Sequence, residues 1–376
     1  MRRSTPGTFW QERGNRLGEL RILYVGQLWE GGTCQQRFEA LQELGHEVDG
    51  INTDAHCVSG GPHKRRALLS RLYGALLRGM GVVPPYPWGG DANGEIEAHQ
   101  ALKRWDLLWI DKGLGISATT LQRFKVAQPS CTIVGYSPDD MANIQNQSRQ
   151  FLEHLPLYDY FFTTKSYGVK DLVSLGCRRA IFVDNAYSLR VHRCIDVSAN
   201  DQERLGGPVG FIGAYERQRA RSICALARAG VTVRVWGEGW GRSVYRHQKM
   251  RRENKPLWGD AYARAICSFK INLCFLRKVN RDLQTTRSIE IPACGGFMLG
   301  ERTSEHSRLF SEGQEAEYFS SDEELIRKVK LYLANDEARR TIAERGWRRC
   351  VASGYSNVER LRWMLETIAR DTELNA

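Results

Sequence analysis

The sequence predicts an α/β protein with two successive domains, each built around a parallel β-sheet. Short apolar runs alternate with amphipathic stretches from Leu20 onward, which is typical of strands that alternate with helices. The alternation breaks off in a polar stretch and begins again at residue 207. The 376 residues are also enough for two domains of roughly 150 to 200 residues each.

The first series of apolar runs contains six predicted strands, with helical segments between them. The first helix, residues 34–44, is expected to end at Gly45, because glycine commonly terminates helices. In chain order the predicted strands are ELRILYVG, EVDGIN, DLLWIDKG, CTIVGYS, DYFFTT and RRAIFVD.

The second series contains four predicted strands, GPVGFIGAY, VTVRVWG, FKINLCF and GGFMLG. Helices are predicted at residues 217–229, 260–268, 285–293, 322–333, 336–351 and 358–371. The last three cannot extend a sheet, so we expect them to pack on it. The expected organisation is a poorly ordered arm (1–19), an N-terminal domain (20–190), a linker (191–207), a C-terminal domain (208–355) and a helix that crosses back to the first domain (356–376).

Composition excludes several classes of protein. There is no apolar stretch of about 18 residues, and the basic start of the chain is not followed by an apolar run, so neither a membrane span nor a signal peptide is predicted. The ten cysteines include no Cys-x-x-Cys pair, which is typical of reduced thiols and argues against structural zinc. We therefore expect a cytoplasmic protein, with contact at the inner membrane face as an open alternative.

The net charge of +11 favours an anionic partner, although a basic surface also serves solubility. Phosphate-bearing substrates, acidic lipids and nucleic acid all fit. Residues 63–79 place leucines on one helical face and cations on the other, which predicts either a membrane-surface helix or an ordinary packed helix. The basic run GRSVYRHQKMRRENK carries no recognised nucleic-acid fold signature, so nucleic acid is the least favoured partner.

The most informative stretch is FLRKVNRDLQTTRSIEIPACGGFMLGE, residues 275–301. A strand ends there, a loop rich in cations follows, and a helix starts at Thr285 or Thr286. Ligands of parallel sheets lie beyond the carboxyl ends of strands, where helix N-termini present free amides. A diphosphate at this place would meet backbone N–H groups, the two threonine hydroxyls and the guanidinium of Arg287.

Two acids, Asp282 and Glu290, frame this helix start. A helix advances about 12 Å over eight residues, so the two carboxylates can reach different parts of one ligand. We expect Asp282 at a sugar and Glu290 at the ribose hydroxyls, the contact that dinucleotide folds also make with a carboxylate. A helix N-cap for Asp282 and a surface position for Glu290 are the simpler alternatives.

The segment RSIEIPACGGFMLGERTSEHSRLF, with the following EEL and YLAND, resembles the C-terminal domain of GT-B glycosyltransferases. The resemblance is closest to the spore-maturation-protein-like branch of glycosyl transferases group 1 and covers residues 207–365; the first half is similar only in layout. It implies a GT-B fold, in which two Rossmann-like domains face each other across a cleft and carry C-terminal helices. It also implies an enzyme that moves a sugar from a nucleotide-sugar to an acceptor.

The resemblance implies a pair of acids separated by seven residues, the first at the donor sugar and the second at the ribose. Glu290 matches the pattern, whereas Asp282 stands where the group usually has Glu. Related enzymes also carry a cation after the first strand of this domain to neutralise the leaving diphosphate. The candidates for these donor contacts are Tyr215, Arg217, Arg219, Arg277 and Lys278.

The remaining candidates lie after predicted strands or before predicted helices. Trp258 and Gly259 are expected at the nucleobase, and Gly31 and Gly32 allow backbone to approach a ligand across the cleft. In the N-terminal domain, strand carboxyl ends carry Lys112, Asp139 and Asp140, the candidates for acceptor binding and general base catalysis.

The expected catalytic residues are therefore Asp282, Asp140 and Lys112. The resemblance implies retention of anomeric configuration; an inverting reaction would need a base, for which Asp140 is the candidate. No Asp-x-Asp motif lies at a predicted strand end, so we expect no metal and no cofactor beyond the nucleotide-sugar co-substrate. An inactive GT-B-shaped binding or scaffold protein and a phage-type DNA-base glycosyltransferase are the alternatives.

Overall fold

The computed structural model describes residues 18–53, 73–86 and 90–374. It contains two six-stranded parallel sheets, one in each half of the chain, which confirms the predicted fold class. The predicted N-terminal arm lies outside the described residues except for Gly18 and Glu19, and so do residues 63–72 of the predicted amphipathic helix.

The N-terminal sheet is formed by short apolar strands. They are β1 (Arg21–Gly26), β2 (Glu47–Asn52), β3 (Leu107–Asp111), β4 (Thr132–Ser137), β5 (Tyr160–Thr163) and β6 (Ala180–Phe182). Their order across the sheet is β2-β1-β3-β4-β5-β6, with all neighbours parallel. β3 and β5 are buried at every position, as expected for central strands of a parallel sheet covered on both faces.

The helices of this domain connect successive strands. They are α1 (Thr33–Glu43), α2 (Gly90–His99), α3 (Ala118–Ala127), α4 (Arg149–His154) and α5 (Gly168–Ser174). Residues 73–79 are also helical, and short 3₁₀ turns lie at Ile144–Asn146 and Leu155–Leu157. The Ser117 hydroxyl accepts a hydrogen bond from the Thr120 amide and thereby caps the start of α3.

The C-terminal sheet has two more strands than the sequence predicts. Its strands are β7 (Gly207–Ile212), β8 (Val233–Trp236), β9 (Met250–Arg252), β10 (Phe269–Cys274), β11 (Met298–Glu301) and β12 (Glu317–Phe319), in the order β12-β11-β10-β7-β8-β9. The additional strands are β9 and β12, the two edges. Each has three residues, which is too short for a recognisable alternation.

Eight helices lie in the described part of the second half. They are α6 (Ala199–Leu205), α7 (Arg217–Arg228), α8 (Gly259–Ser268), α9 (Arg287–Ala293), α10 (Ser304–Leu309), α11 (Asp322–Ala334), α12 (Asp336–Ala352) and α13 (Asn357–Leu374). Short 3₁₀ turns lie at Trp240–Arg242 and Lys278–Asn280.

The last helix, α13, packs on the N-terminal sheet. On that face the Trp109 ring lies between Tyr24 and Phe162, stacked on each at a centroid distance of 6.4 Å. Leu361 and Leu365 of α13 are buried in the same apolar cluster as these rings. The final helix of the chain therefore completes the core of the first domain.

Each sheet has a switch point at which successive strands run to opposite sides. It lies between β1 and β3 in the first sheet and between β7 and β10 in the second. Ligands of open α/β sheets bind beyond the strand carboxyl ends at such points. Loops after the strands also join the two domains, because residues 139–146 and 165–167 hydrogen-bond to residues 279–282.

Candidate active site

Three guanidinium groups converge beyond the carboxyl ends of β7 and β10. The guanidinium carbons of Arg219 and Arg287 lie 5.6 and 5.7 Å from the centre of the Phe211 ring. Arg277, which follows β10, is close enough that its charge, with that of Arg287, disfavours the charged form of Arg219. The switch point of the C-terminal sheet is therefore strongly cationic.

The cationic cluster is incompletely neutralised by the protein. The carboxylate of Glu216 lies 3.3 Å from Nη2 of Arg219 and also 3.3 Å from Nε of Arg277, and Asp139 lies 3.9 Å from Nη1 of Arg277. Burial and the two neighbouring cations lower the pKa of Arg219 to about 10. Nε and Nη2 of Arg219 and Nε of Arg287 are buried and find no hydrogen-bond acceptor in the part of the chain that the structure describes. Buried donors are costly without an acceptor, and an anion accepts from them more strongly than a neutral group does.

A hydrogen-bond chain fixes the start of α9 next to this cluster. The Thr285 amide donates to Ser288 Oγ at 3.0 Å, and Ser288 in turn hydrogen-bonds to His306 Nε2 at 2.6 Å. His306 Nδ1 lies 2.6 Å from the Glu301 carbonyl and so carries the proton. The Thr285 amide is thus used inside the protein, and of the two threonines Thr286 is the less buried.

Glu290 lies one turn into α9 and is buried. Its Oε2 accepts a hydrogen bond from the Tyr262 hydroxyl at 2.6 Å. Its Oε1 lies 3.6 Å from Nε2 of His192, a residue of the connection between the two domains. Burial and the neighbouring carboxylate raise the pKa of Tyr262, so this hydroxyl stays a donor.

Asp282 is buried in the interface between the domains. Its Oδ1 lies 2.5 Å from Nζ of Lys165, which follows β5, and both side chains are less than 5% exposed. Its Oδ2 accepts from the Arg277 amide at 3.3 Å. The acid expected at the donor sugar is therefore neutralised by a cation of the opposite domain.

Asp140 is likewise engaged across the interface. Arg281 donates to both of its oxygens, at 2.8 and 3.1 Å, and also to Asp171 at 2.8 Å. Arg281 adopts a left-handed backbone conformation, with φ of 49°. As found, the Asp140 carboxylate is not available as a base.

Lys112 and Asp139 form the third contact with the same loop. Lys112, at φ of 63°, places Nζ 2.6 Å from Asp139 Oδ2, while Asn280 donates to Asp139 Oδ1 at 3.1 Å. A non-glycine residue in this conformation is uncommon and costs energy that the surroundings must offset. The structure thus brings Lys112, Asp140 and Asp282 to one interface.

The predicted glycine loop and the predicted base-binding residue meet across the cleft. The Trp29 and Trp258 rings pack edge to face at 4.8 Å, and Trp258 is 52% exposed. A Cβ at Gly31 would lie 3.0 Å from the Cβ of Trp258, and φ of 87° also favours glycine there. The loop of Gly31 and Gly32 therefore approaches the residue that precedes Gly259.

The other predicted donor residues make contacts outside the guanidinium cluster or are exposed. Arg217 is exposed at the first position of α7, and Lys278 pairs with Glu301 on the surface. Tyr215 packs edge to face on Trp240 at 5.6 Å.

Sequence reasoning missed several residues of this site, among them Lys165, His192, Tyr262 and Arg281. Lys165 follows the predicted strand DYFFTT, so the strand-end rule that selected Lys112 would have selected it too. No comparable signal marks His192 or Tyr262, because their contacts depend on tertiary packing.

Two further observations concern the described residues only. No group of three or more His, Cys, Asp or Glu side chains there is arranged to hold a metal ion. None of the helices there combines the length and apolar character needed to cross a membrane.

Two parallel-sheet domains with a cationic switch point in the cleft define the GT-B class of fold. Residues 217–366 match the family described as glycosyl transferase-like, and this match includes the guanidinium cluster and both acids. The chain therefore has the GT-B fold, and its C-terminal half contains a region of the glycosyl transferase-like family. The spore-maturation-protein-like branch is not distinguished by this match and stays a prediction.

Solved structures confirm the fold over nearly the whole chain. The Anabaena protein HepE in complex with UDP and glucose is similar, with a TM-score of 0.59, 11% identity and coverage of 94% of this chain and 100% of that one. Sucrose-phosphate synthase from Thermosynechococcus elongatus gives a TM-score of 0.63, 12% identity and coverage of 95% and 100%. A glycosyltransferase from Rickettsia africae gives a TM-score of 0.56 at 11% identity, with coverage of 93% of this chain and 98% of that one. A comparison with curated proteins finds no match.

Proposed function

We propose that the protein transfers a sugar from a nucleoside-diphosphate sugar, bound by the C-terminal domain, to an acceptor that enters from the N-terminal domain. The observation that carries this proposal is the cluster of Arg219, Arg277 and Arg287. It holds three cations, two of which share the carboxylate of Glu216, and it includes buried N–H donors for which no described residue is an acceptor. A diphosphate is an anion of matching charge and hydrogen-bonding capacity.

The same cluster explains how the sugar–phosphate bond is broken. Negative charge grows on the bridging oxygen as the nucleoside diphosphate leaves, and fixed cations stabilise that charge without reorganisation. Arg219 is the best placed, because its burial among apolar groups strengthens the interaction. The guanidinium groups also take the role that a divalent cation has in other transferases, so we expect activity to persist in excess chelator. Complete loss of activity in chelator would remove this expectation.

We assign the donor's other parts to neighbouring residues. Glu290 accepts from the ribose hydroxyls, and Trp258 with Gly259 contacts the base. HepE was solved with UDP, which makes UDP the first nucleotide to test here. Asp282 is satisfied by Lys165 and a backbone amide, so its contact with the sugar requires the Lys165 pair to open when the donor enters.

We assign the acceptor side to Lys112 and Asp139, because Asp139 accepts a hydrogen bond from Asn280 in the loop after β10 and also pairs with Lys112. Because Arg281 holds Asp140, the arrangement favours a retaining reaction in which the leaving diphosphate, and not Asp140, receives the acceptor proton. Determination of the anomeric configuration of the product by NMR tests this assignment; an inverted product would overturn it.

A surface of the N-terminal domain suggests where the acceptor is found. Tyr73, Leu76 and Met80 are exposed and follow helical spacing, and Val82 lies beside them. We propose that this face contacts a membrane that carries the acceptor. Sedimentation with anionic liposomes should recover wild-type protein in the pellet but leave the double variant Leu76→Glu/Met80→Glu in the supernatant. Equal sedimentation of both would contradict the proposal.

The central test compares arginine variants in nucleotide binding. Loss of a charge-assisted hydrogen bond should weaken UDP binding about 10- to 100-fold in Arg219→Ala and Arg287→Ala, measured by isothermal titration. Arg228→Ala, at the other end of α7, is the matched control and should bind like wild type. Unchanged affinity in folded Arg219→Ala and Arg287→Ala would refute the diphosphate site. Tight binding without any turnover would favour the inactive binding protein.

A further inference from the structure

The carboxylate of Glu290 is held between two side chains from different parts of the chain. Tyr262 comes from α8, and His192 comes from the connection between β6 and α6. All three side chains are buried, and the His192 and Tyr262 rings pack edge to face at 5.5 Å. Such a carboxylate is exposed to few water molecules, so its orientation depends on these neighbours.

Hydrogen bonding determines which nitrogen of His192 faces the carboxylate as a donor. The Ser188 amide donates to His192 Nδ1 at 2.9 Å, so Nδ1 is the acceptor. Burial lowers the pKa of His192 and favours the neutral ring. The remaining proton is then on Nε2, which points towards Oε1 of Glu290 at 3.6 Å. This distance is longer than a hydrogen bond, so the N–H acts as an oriented dipole and leaves Oε1 able to accept from a ligand.

The contacts of Glu290 with Tyr262 and His192 keep its carboxylate apart from Arg287. Arg287 and Glu290 are three residues apart on α9, the spacing at which opposite charges pair on a helix surface. Such a pair would remove the cation from the diphosphate and the acid from the ribose. Among the described residues no ion pair joins them; Oε2 is instead bound by Tyr262 and Oε1 faces His192.

The connection that carries His192 also contacts the opposite domain, although His192 itself is held by the Ser188 amide. Arg190, two residues earlier, pairs with Glu39 and Glu43 of α1, with its nitrogens 3.5 and 3.1 Å from the carboxylate oxygens. Ser188, which holds His192 Nδ1, is also buried. The connection between the domains is therefore tied to α1 on one side and to Glu290 on the other.

We propose that His192 is a positioning residue for donor recognition, which together with Tyr262 keeps the Glu290 carboxylate directed at the ribose hydroxyls and away from Arg287. This inference rests on the proposed function, because it assigns the ribose to Glu290. The inference adds that His192, which lies in the connection between the domains, contributes to the preference for a nucleotide that carries both ribose hydroxyls.

The experiment pairs two substitutions with two ligands. His192→Asn retains an acceptor for the Ser188 amide but no longer reaches Glu290, whereas His192→Gln places an amide N–H near the position of Nε2. UDP and 2′,3′-dideoxy-UDP are titrated into each folded protein. In wild type, UDP should bind about tenfold more tightly than the dideoxy analogue. His192→Asn should lose about five- to tenfold in UDP affinity and less than about twofold for the analogue; His192→Gln should restore most of the selectivity.

Matched controls separate positioning from general damage. Arg190→Ala removes the contact with α1 but not with Glu290 and should keep wild-type selectivity. Tyr262→Phe removes the hydrogen bond to Oε2 and should lose selectivity as His192→Asn does. If His192→Asn does not fold, His192→Phe takes its place in the same titrations.

The outcomes distinguish the positioning role of His192 from the ribose contact of Glu290. Equal losses for both ligands in His192→Asn, or unchanged selectivity in that variant, would overturn the positioning role while leaving the ribose assignment intact. If wild type itself binds UDP and the dideoxy analogue equally, the assignment of Glu290 fails, and the inference about His192 fails with it.

Discussion

Two buried histidines, His154 and His306, make the folding stability of this protein depend on pH. Burial lowers the pKa of His154 from 6.5 to about 4, and the same cause lowers the pKa of His306 to about 4. The unfolded chain takes up a proton near pH 6.5, whereas the folded chain resists it until about pH 4. The stability present above pH 6.5 is therefore lost as the pH falls from 6.5 towards 4.

His154→Gln provides the test. The amide can keep the hydrogen bond to the Gly113 carbonyl, which His154 Nε2 makes at 2.9 Å, but it does not titrate. We expect the dependence of unfolding free energy on pH between 6.5 and 4 to become shallower by up to about 1.4 kcal/mol per pH unit. Urea denaturation at several pH values measures it, and a slope equal to that of wild type would contradict the expectation.

At the residue scale, the strand-end rule could indicate where polar side chains gather but not how they pair. Lys112, Asp139 and Asp140 follow predicted strands, and Arg219 and Arg287 lie near a predicted helix start. Arg281 binds Asp140 and Lys165 binds Asp282 only because the two domains approach each other, and the residues of each pair are more than 100 positions apart in sequence. No local pattern encodes such a partner.

At the element scale, the loop after β10 contacts the N-terminal domain through several side chains. Its Asp282 forms a buried ion pair with Lys165, and removal of one partner leaves an uncompensated buried charge. Lys165→Met should therefore lower the free energy of unfolding of the protein by about 3 kcal/mol. Thermal and chemical unfolding measure this loss.

The double variant Lys165→Met/Asp282→Asn is the control for that prediction. It removes the unpaired charge as well, so most of the lost stability should return. A double variant no more stable than Lys165→Met would show that the ion pair is not the origin of the loss.

The contact of Arg281 with Asp140 makes a second prediction for this loop. A general base contributes about 10²- to 10⁴-fold to rate. Because the Asp140 carboxylate is occupied by Arg281, Asp140→Asn should reduce turnover of the nucleotide-sugar by less than about tenfold. A loss of three orders of magnitude in a folded variant would instead identify Asp140 as the base of an inverting reaction.

Elements with strong periodicity were predictable, and short edge elements were not. The strand β3 stands out as a continuous apolar run, LLWI, and the long helices α11, α12 and α13 stand out because apolar residues recur at helical spacing. β9 lies within a basic run and β12 has three residues. Pairing with a longer neighbour, and not local preference, makes these segments strands.

At the scale of the whole molecule, the first domain depends on the last helix. Leu365 of α13 is buried against the aromatic face of the N-terminal sheet. Leu365→Ala should cost about 2 to 5 kcal/mol and increase amide exchange in β1 and β3 more than in β7 and β10. Leu331→Ala in α11, where the side chain is half exposed, should have little effect. Faster exchange confined to the C-terminal sheet would contradict this picture.

The chain crosses between the domains twice, and the two crossings are bonded to each other. The Tyr187 amide donates to the Tyr355 carbonyl at 3.2 Å, and the Asn357 amide donates to the Tyr187 carbonyl at 2.8 Å. A double strand joined in this way resists twisting apart but can bend. Opening of the cleft to admit a donor or release a product should therefore be a hinge rotation near these crossings that separates Asp282 from Lys165 and Arg281 from Asp140.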